Sequence, residues 1–461
     1  MTERLVVIGG DAAGMSAASQ ARRRRGPQDL EIIAFERGDY TSYSACGIPY
    51  FVADTVTDVD KLVIRSPDVF RDKQDIDVRI RHEVTEIDLD KRAVTVRNLA
   101  DDSESAEGFD LLMVATGGAP IRPPLDGVDA AGIFGVQTLN DGVMVRAIVE
   151  DEKPKHAVVV GGGYIGLEMA EAFVVRGMKV TLVEAGPQPM STLDPDMGEL
   201  VADAMGKMGI DVLTDESVAG FQKNDTGHVS GVVTDQRSLH ADIVVLGIGT
   251  RPNVTLAENA GIAIGSAGGV VVDRQMQTSI DGVWSGGDCA EKFHRVARKA
   301  VTIALGTHAN KEGRVAGINI GGGYATFPGV VGTAVSKVCD LEVARTGLKE
   351  TEAVEAGFDH IVSSIDSTTR AGYFPGAEPI RTKLVVEKRS GRLLGAQIVG
   401  KEGAAKRIDA LATALWNEMT VDHMLNLDLS YAPPFAPVWN PVLIAARKAW
   451  EKVEATISES R

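Results

Sequence analysis

Short apolar runs that stop at glycine set the rhythm of this chain. Leu5, Val6, Val7 and Ile8 run into a turn from Gly9 to Gly14; a helix is expected over about residues 15–25, and a second apolar run spans residues 30–36. A buried strand, a glycine turn, a helix and a parallel strand within about 30 residues make a βαβ unit. The same order returns in residues 156–160, a turn from Gly161 to Gly166, a helix to about Arg176, and residues 179–184. Two copies of one unit carry more weight than either alone. Between them, alternation in residues 76–80 and 93–97 predicts antiparallel strands leading to an apolar run at 109–117, and the run 241–249 has the same character. A helix is expected over about 300–318, with Gly321, Gly322 and Gly323 as a boundary after it. Farther on, strands at 382–386 and 392–399 mix with helices at 404–418 and 441–454, without another glycine-turn unit.

Length changes this picture first: 461 residues suit two or three domains and exclude a single small module. The 50 glycines sit in clusters between apolar runs and aromatic residues make up only 5%, which favours α/β layers over an all-β sandwich. A net charge of -16 repels nucleic-acid backbones and anionic membranes, so neither is an expected partner. No apolar stretch approaches the roughly 18 to 20 residues of a spanning helix. With no signal peptide ahead of the first strand and cysteines only at 46, 289 and 339, a reducing, cytoplasmic setting is expected.

Chemistry enters through the glycine turns. In the second unit Gly161 permits the tight turn, Gly163 lets a pyrophosphate approach the backbone, and Gly166 lets helix pack on strand. Glu184 closes the following strand, where an acid accepts from both ribose hydroxyls. No Lys or Arg lies between Ala185 and Thr192 to receive a 2'-phosphate, so NADH is expected over NADPH, with NADPH possible. The first unit has Asp11 in the place of the middle glycine, but Glu36 stands correctly for a ribose. Gly287 and Asp288 add a second signal, a carboxylate at a strand end within reach of a ribityl hydroxyl.

Cys46 stands in the stretch from Thr41 to Tyr50 with no cysteine near it in sequence. A redox partner must therefore come from outside: a small thiol, a persulfide sulfur, or oxygen forming a sulfenate. Gly47, Ile48 and Pro49 read as a helix start, whose dipole would lower the thiol from its ordinary pKa of about 8.5. Cys289 reads as structural. No His/Cys/Asp cluster has metal-ligand spacing along the chain and no Ser-His-Asp arrangement is indicated, so no metal is expected.

The strand end at Ala115, Thr116 and Gly117, the stretch from Gly247 to Asn253, and Gly286, Gly287 and Asp288 resemble the stations of the FAD- and NAD(P)-dependent pyridine nucleotide-disulfide oxidoreductases, over essentially the whole chain. The stretch from Ser42 to Tyr50 is similar to the single-cysteine branch, which holds coenzyme A (CoA) disulfide reductases, NADH oxidases and peroxidases, and CoA persulfide reductases. The resemblance implies an α/β fold with two Rossmann-like domains of the glutathione reductase kind. It divides the chain into an FAD domain (1–120 and 249–324), an inserted NAD(P)H domain (121–248) and an α+β dimerisation domain (325–461). It places Gly9, Ala12, Ala13, Gly14, Glu36, Arg37, Val84, Ala115, Thr116, Gly117, Gly249, Gly287 and Asp288 with the dinucleotide cofactors, along with Gly161, Gly163, Tyr164, Ile165, Gly166, Glu168 and Glu184. Tyr164 would gate the flavin, and Glu168, one turn on, would orient its ring.

In the branch, peroxidases and some oxidases carry a histidine where this chain has Ala12, which counts against a dedicated peroxidase. Tyr373 and Tyr431 match two tyrosines that CoA-disulfide reductases present across a homodimer interface to the cysteine. Residues matching those that hold CoA are Gln20, Arg22, Ser42, Lys73, Asn310 and Arg314, while Ala45 replaces an asparagine found in some members. The expected activity is NAD(P)H-driven reduction of CoA disulfide, or a related small disulfide or persulfide, through a mixed disulfide on Cys46, with CoA as substrate or bound thiol. The absence of a rhodanese-like extension weighs against persulfide. An NADH oxidase using a Cys46 sulfenate is the alternative. A flavin redox sensor is the non-enzymatic one, and a ferredoxin-type reductase is disfavoured by the Cys46 stretch.

Overall fold

A computed structural model describes residues 2–459. The first glycine-turn unit builds a five-stranded parallel sheet in the order Val283–Ser285, Leu111–Val114, Glu3–Ile8, Leu30–Glu36, Ile76–Ile80. Residues 76–80 therefore do not form an antiparallel pair with 93–97, as their alternation suggested. They are the parallel edge of this sheet, and an edge strand alternates because one of its faces is wet. Ala93–Asn98 lies instead in a separate antiparallel sheet between His82–Asp88 and Glu104–Gly108.

The second unit builds its own five-stranded parallel sheet, ordered Asp211–Leu213, Lys179–Val183, His156–Val160, Ile243–Leu246, Ile133–Phe134. A small antiparallel sheet of Val218–Lys223, Val229–Thr234 and Ser238–His240 lies beside it. The chain crosses between the two parallel sheets at an antiparallel pair, Gly118–Pro120 with Thr250–Pro252.

Two helices bring the first sheet's ligand loops together. Ala12–Arg22 crosses Gly306–Ile320 through glycines: a Cβ at Gly313 or Gly317 would run into the carbonyl oxygens of Ala13 and Ala17. That second helix begins at Gly306, later than expected, because residues 299–301 pair with Lys292–His294 as a hairpin.

The C-terminal part is a five-stranded antiparallel sheet of Ala334–Val338, Leu341–Gly347, Leu393–Gly400, Pro379–Glu387 and His360–Thr368. Its central strand is buried at every position. Leu394, Ala396 and Ile398 pack with the helix Ile408–Trp416, and Val399 packs with Met197 and Val201 of the helix Pro195–Met208, which follows the second glycine-turn unit. Polar groups lock the same junction. Gln397 donates to Asp194 Oδ2 at 2.6 Å and accepts from the Asp194 amide at 2.8 Å, while the buried Lys383 ammonium reaches Asp196 and Glu350 at 2.6 Å and Asp194 at 3.2 Å. No helix among the described residues is long and apolar enough to cross a membrane.

Candidate active site

The two glycine turns repeat the same contacts at their outer glycines. Gly9 and Gly161 have φ of +107° and +96°, the left-handed region that suits glycine, and a Cβ at either would press on a neighbouring strand's backbone, at Ala115 and Gly247. Side chains at Gly14 and Gly166 would strike the carbonyls of Gly9 and Gly161, so both glycines serve helix-on-strand packing. The acid ending each second strand is held in the same way. Glu36 accepts from the amides of Gly10 (2.8 Å) and Gly38 (2.7 Å), and Glu184 accepts from those of Gly162 (2.7 Å) and Gly186 (2.8 Å). Each carboxylate oxygen thus keeps a lone pair for a ribose hydroxyl.

Above the first turn opens a cleft of about 1020 Å³, at the upper end of the size range of ligand pockets. Gly9, Ala12, Ala13, Glu36, Arg37, Val84, Ala115, Thr116, Gly117, Gly287 and Asp288 all line it, as does Cys46. Asp11, in the middle-glycine position, lines it too: it stands just ahead of the helix Ala12–Arg22 without a side-chain cap bond to it, and accepts instead from the Tyr43 amide at 3.2 Å. Burial, with Glu36 and Asp288 nearby, pushes its carboxyl up to about 7. Burial also raises Asp288.

The Cys46 segment hangs from that same turn. Ser42 N–H donates to Gly10 O at 3.0 Å, the Thr41 hydroxyl donates to the same carbonyl, and Tyr43 is tied to Asp11. Cys46 lies in a 3₁₀ turn, Ala45–Gly47, that leads into the helix Ile48–Val52 with Pro49 in its first turn, and its side chain is exposed to the cleft. Ile48, Phe51 and Val52 share a core with Leu167, Ala170 and Phe173 of the helix Tyr164–Val175, so the cysteine is braced by the second nucleotide unit.

This contact corrects the expected electrostatics. The protein's own groups push the Cys46 thiol up, through burial first and the Glu168 carboxylate second. The helix that should have lowered it is a single short turn, and the charge opposing it comes from another domain. Glu168 accepts a hydrogen bond from Ser336 Oγ at 2.8 Å, which ties it to the C-terminal sheet, and burial raises it as well. Tyr164, one turn before Glu168, is half-buried beside it, with its hydroxyl held protonated by burial.

Of the residues expected to hold CoA, Gln20, Ser42, Asn310 and Arg314 line the cleft and Arg22 and Lys73 do not. The Arg22 guanidinium is spent on the carbonyls of Gln74, Asp75 and Arg25, and Lys73 stands exposed on another helix. Arg23 and Arg65 occupy the rim in their stead. Helical spacing could have found Arg23, because Ser16, Gln20 and Arg23 share one face and Arg22 does not. Gly14 lies beneath the cleft as packing, and Gly161, Gly163, Tyr164, Ile165, Gly166, Glu168, Glu184 and Gly249 lie outside its lining.

Sequence reasoning also missed what holds Gly287 and Asp288. Gly287 donates its N–H to Glu312 at 2.7 Å and its carbonyl accepts from Lys292 Nζ at 2.7 Å, and these two side chains, fully buried, face each other at 3.5 Å. Cys289 is buried among Ser285, Gly286 and Val114, which fits the structural role expected of it. Tyr373 and Tyr431 lie side by side on the C-terminal surface, outside the cleft of their own chain, and Tyr373 raises the Tyr431 phenol.

Residues 3–313 match the family model for pyridine nucleotide-disulphide oxidoreductases, and residues 333–441 match the model for their dimerisation domain. An NAD(P)H sulfur oxidoreductase (CoA-dependent) of Pyrococcus abyssi is 40% identical over 444 residues, covering 96% of this chain and 97% of that one. An NADH oxidase of Methanocaldococcus jannaschii is 35% identical over 98% of this chain and 99% of its own. The solved structure of an NAD-dependent persulfide reductase from A. fulgidus superposes with a TM-score of 0.94 at 40% identity, covering 98% of this chain and 84% of that one.

Proposed function

From the premise that this chain belongs to the pyridine nucleotide-disulphide oxidoreductase family, we propose that it is an NADH-driven, FAD-containing reductase of CoA-linked sulfur, a persulfide or disulfide, acting through Cys46 in a homodimer. The observation that carries this reading is one exposed thiol in a dinucleotide-sized cleft whose rim holds Arg23, Arg65 and Arg314. Arginine forks suit the phosphates of a CoA thiol. The first glycine turn fits FAD: its backbone cannot accept side chains at Gly9 or Gly14, and Glu36 keeps lone pairs for a ribose. Bound there, FAD would take hydride from NADH and return two electrons to sulfur.

The rest of the chemistry belongs to side chains. Cys46 thiolate attacks the sulfur–sulfur bond of the substrate, forming a mixed disulfide and expelling one sulfur as thiolate or hydrosulfide. Two electrons then cleave the mixed disulfide, freeing the second thiol and restoring the Cys46 thiolate. Tyr373 and Tyr431, offered from the other copy, would protonate the departing sulfur. Glu184, with no basic neighbour through Thr192, supports NADH over NADPH. We place the inserted domain between the crossing strands Gly118–Pro120 and Thr250–Pro252. The P. abyssi protein, a CoA-dependent sulfur oxidoreductase matched over 97% of its own length, supports CoA-linked sulfur as the substrate class.

The test is anaerobic turnover with CoA disulfide and with CoA persulfide. Cys46→Ser should lose on the order of 10³-fold or more of the rate while NADH still bleaches the flavin. Undiminished turnover in that variant would defeat the proposal. The likeness to an NADH oxidase favours a second reading, in which oxygen is reduced through a Cys46 sulfenate; it requires rapid oxygen consumption with no turnover of either sulfur substrate.

A further inference from the structure

Remote from the Gly161 turn, at the opposite end of the same strand, His156, His240 and Asp242 converge. Their donor atoms lie within 4.8 Å of one another, and among the described residues they are the one group of three ligating side chains that does so. His156 opens the strand His156–Val160, His240 ends Ser238–His240, and Asp242 stands just ahead of Ile243–Leu246. The three therefore join the small antiparallel sheet to the parallel nucleotide-binding sheet. Spacing along the chain did not suggest this group because its members come from separate strands.

Hydrogen bonding fixes what each donor can do. Asp242 Oδ2 accepts from the amides of Lys155 (2.8 Å) and His156 (2.9 Å), which orients the carboxylate. His240 Nδ1 lies 3.0 Å from the Ser230 carbonyl, an atom that can only accept, so Nδ1 carries the hydrogen. In the neutral ring Nε2 is then a bare lone pair, and it faces Asp242 Oδ1 at 3.2 Å. Two lone pairs at that separation repel unless a cation lies between them. His156 Nδ1 is buried with no hydrogen-bond partner, 3.6 Å from Asp242 Oδ2. A divalent ion held among them engages all three groups, the partnerless His156 Nδ1 included.

Two of the separations, 3.2 Å from His240 Nε2 to Asp242 Oδ1 and 3.6 Å from His156 Nδ1 to Asp242 Oδ2, are near those between the ligands of one metal ion. With bonds of about 2.0–2.1 Å, the edge of a coordination tetrahedron is about 3.3–3.4 Å. Two imidazoles and a carboxylate form an ordinary zinc set, and the outer contacts are already made by the Ser230 carbonyl and two backbone amides. All three side chains are partly exposed, which leaves a fourth position for water. We propose that His156, His240 and Asp242 form a divalent transition-metal site of the zinc class that staples the two sheets of the second nucleotide domain.

The test uses full-length, flavin-loaded protein without a histidine tag, stripped with chelator, in a Cys46→Ser background so that the exposed thiol does not compete. Zinc titration by calorimetry should give one ion per chain with a Kd of about 10 µM or tighter, and zinc should raise the thermal midpoint. His240→Ala and His156→Ala should each weaken binding at least about tenfold and abolish the thermal shift. FAD absorbance and far-ultraviolet circular dichroism, unchanged in His240→Ala, establish that the variant is folded. Absence of saturable one-to-one binding, or binding and thermal shift equal in both variants and parent, would overturn the site.

Discussion

Cys46 and Glu168 show how much one side chain's chemistry depends on residues distant in sequence. The solitude of Cys46 and the helical phase of Glu168 behind Tyr164 could be read from the chain. The sign of the thiol's shift could not, because the carboxylate reaches it only through packing of the helix Tyr164–Val175 on Ile48–Val52. Replacing Glu168 with Gln keeps the shape and the Ser336 contact while removing the second-largest cause of the raised pKa. The Cys46 thiol should then titrate lower, because a carboxylate that opposes the thiolate has been removed. Alkylation rate against pH reads this directly, and a midpoint that stays put would sever the link. The neighbouring misreading, Arg22 for Arg23, has a simpler origin. Four arginines in a row say that a helix end is basic, and only helical phase says which of them faces the cleft.

Among the elements, those with a strong local signature were legible and those decided by neighbours were not. Both βαβ units stood out because glycine, acid and apolar run coincide in each. The strand Ile76–Ile80 looked antiparallel since its alternation reports one wet face, which a parallel edge strand shares. Residues 299–301 looked helical by apolar content, yet they pair with Lys292–His294. That hairpin starts at Lys292, which holds the Gly287 turn together with Glu312. Lys292→Met would leave Glu312 as an uncompensated buried acid. The expected cost is about 3–5 kcal/mol, seen as a lower denaturant midpoint and faster loss of FAD on dilution. The double variant Lys292→Met with Glu312→Gln should recover part of it. A single variant as stable as the parent would show that the pair does not hold the turn.

For the assembled molecule, the exposed aromatic surface of the C-terminal domain matters most. Tyr373, Phe435 and Trp439 stand in solvent in the single chain, beside Val438, and an apolar surface of this kind marks an interface. Sedimentation should show a dimer for the parent, and Phe435→Arg should weaken it by about 100-fold or more, the effect expected of a charge at an interface core. A monomeric parent, or an equally tight variant, would remove the dimer from the proposal. Within each chain, Lys383, Asp194 and Gln397 bolt the second nucleotide domain to the C-terminal sheet. Under the proposed function, admission to Cys46 would be decided by the shape and charge of the cleft rim at Arg23, Arg65 and Arg314, so that small alterations there would exchange one sulfur compound, or oxygen itself, for another.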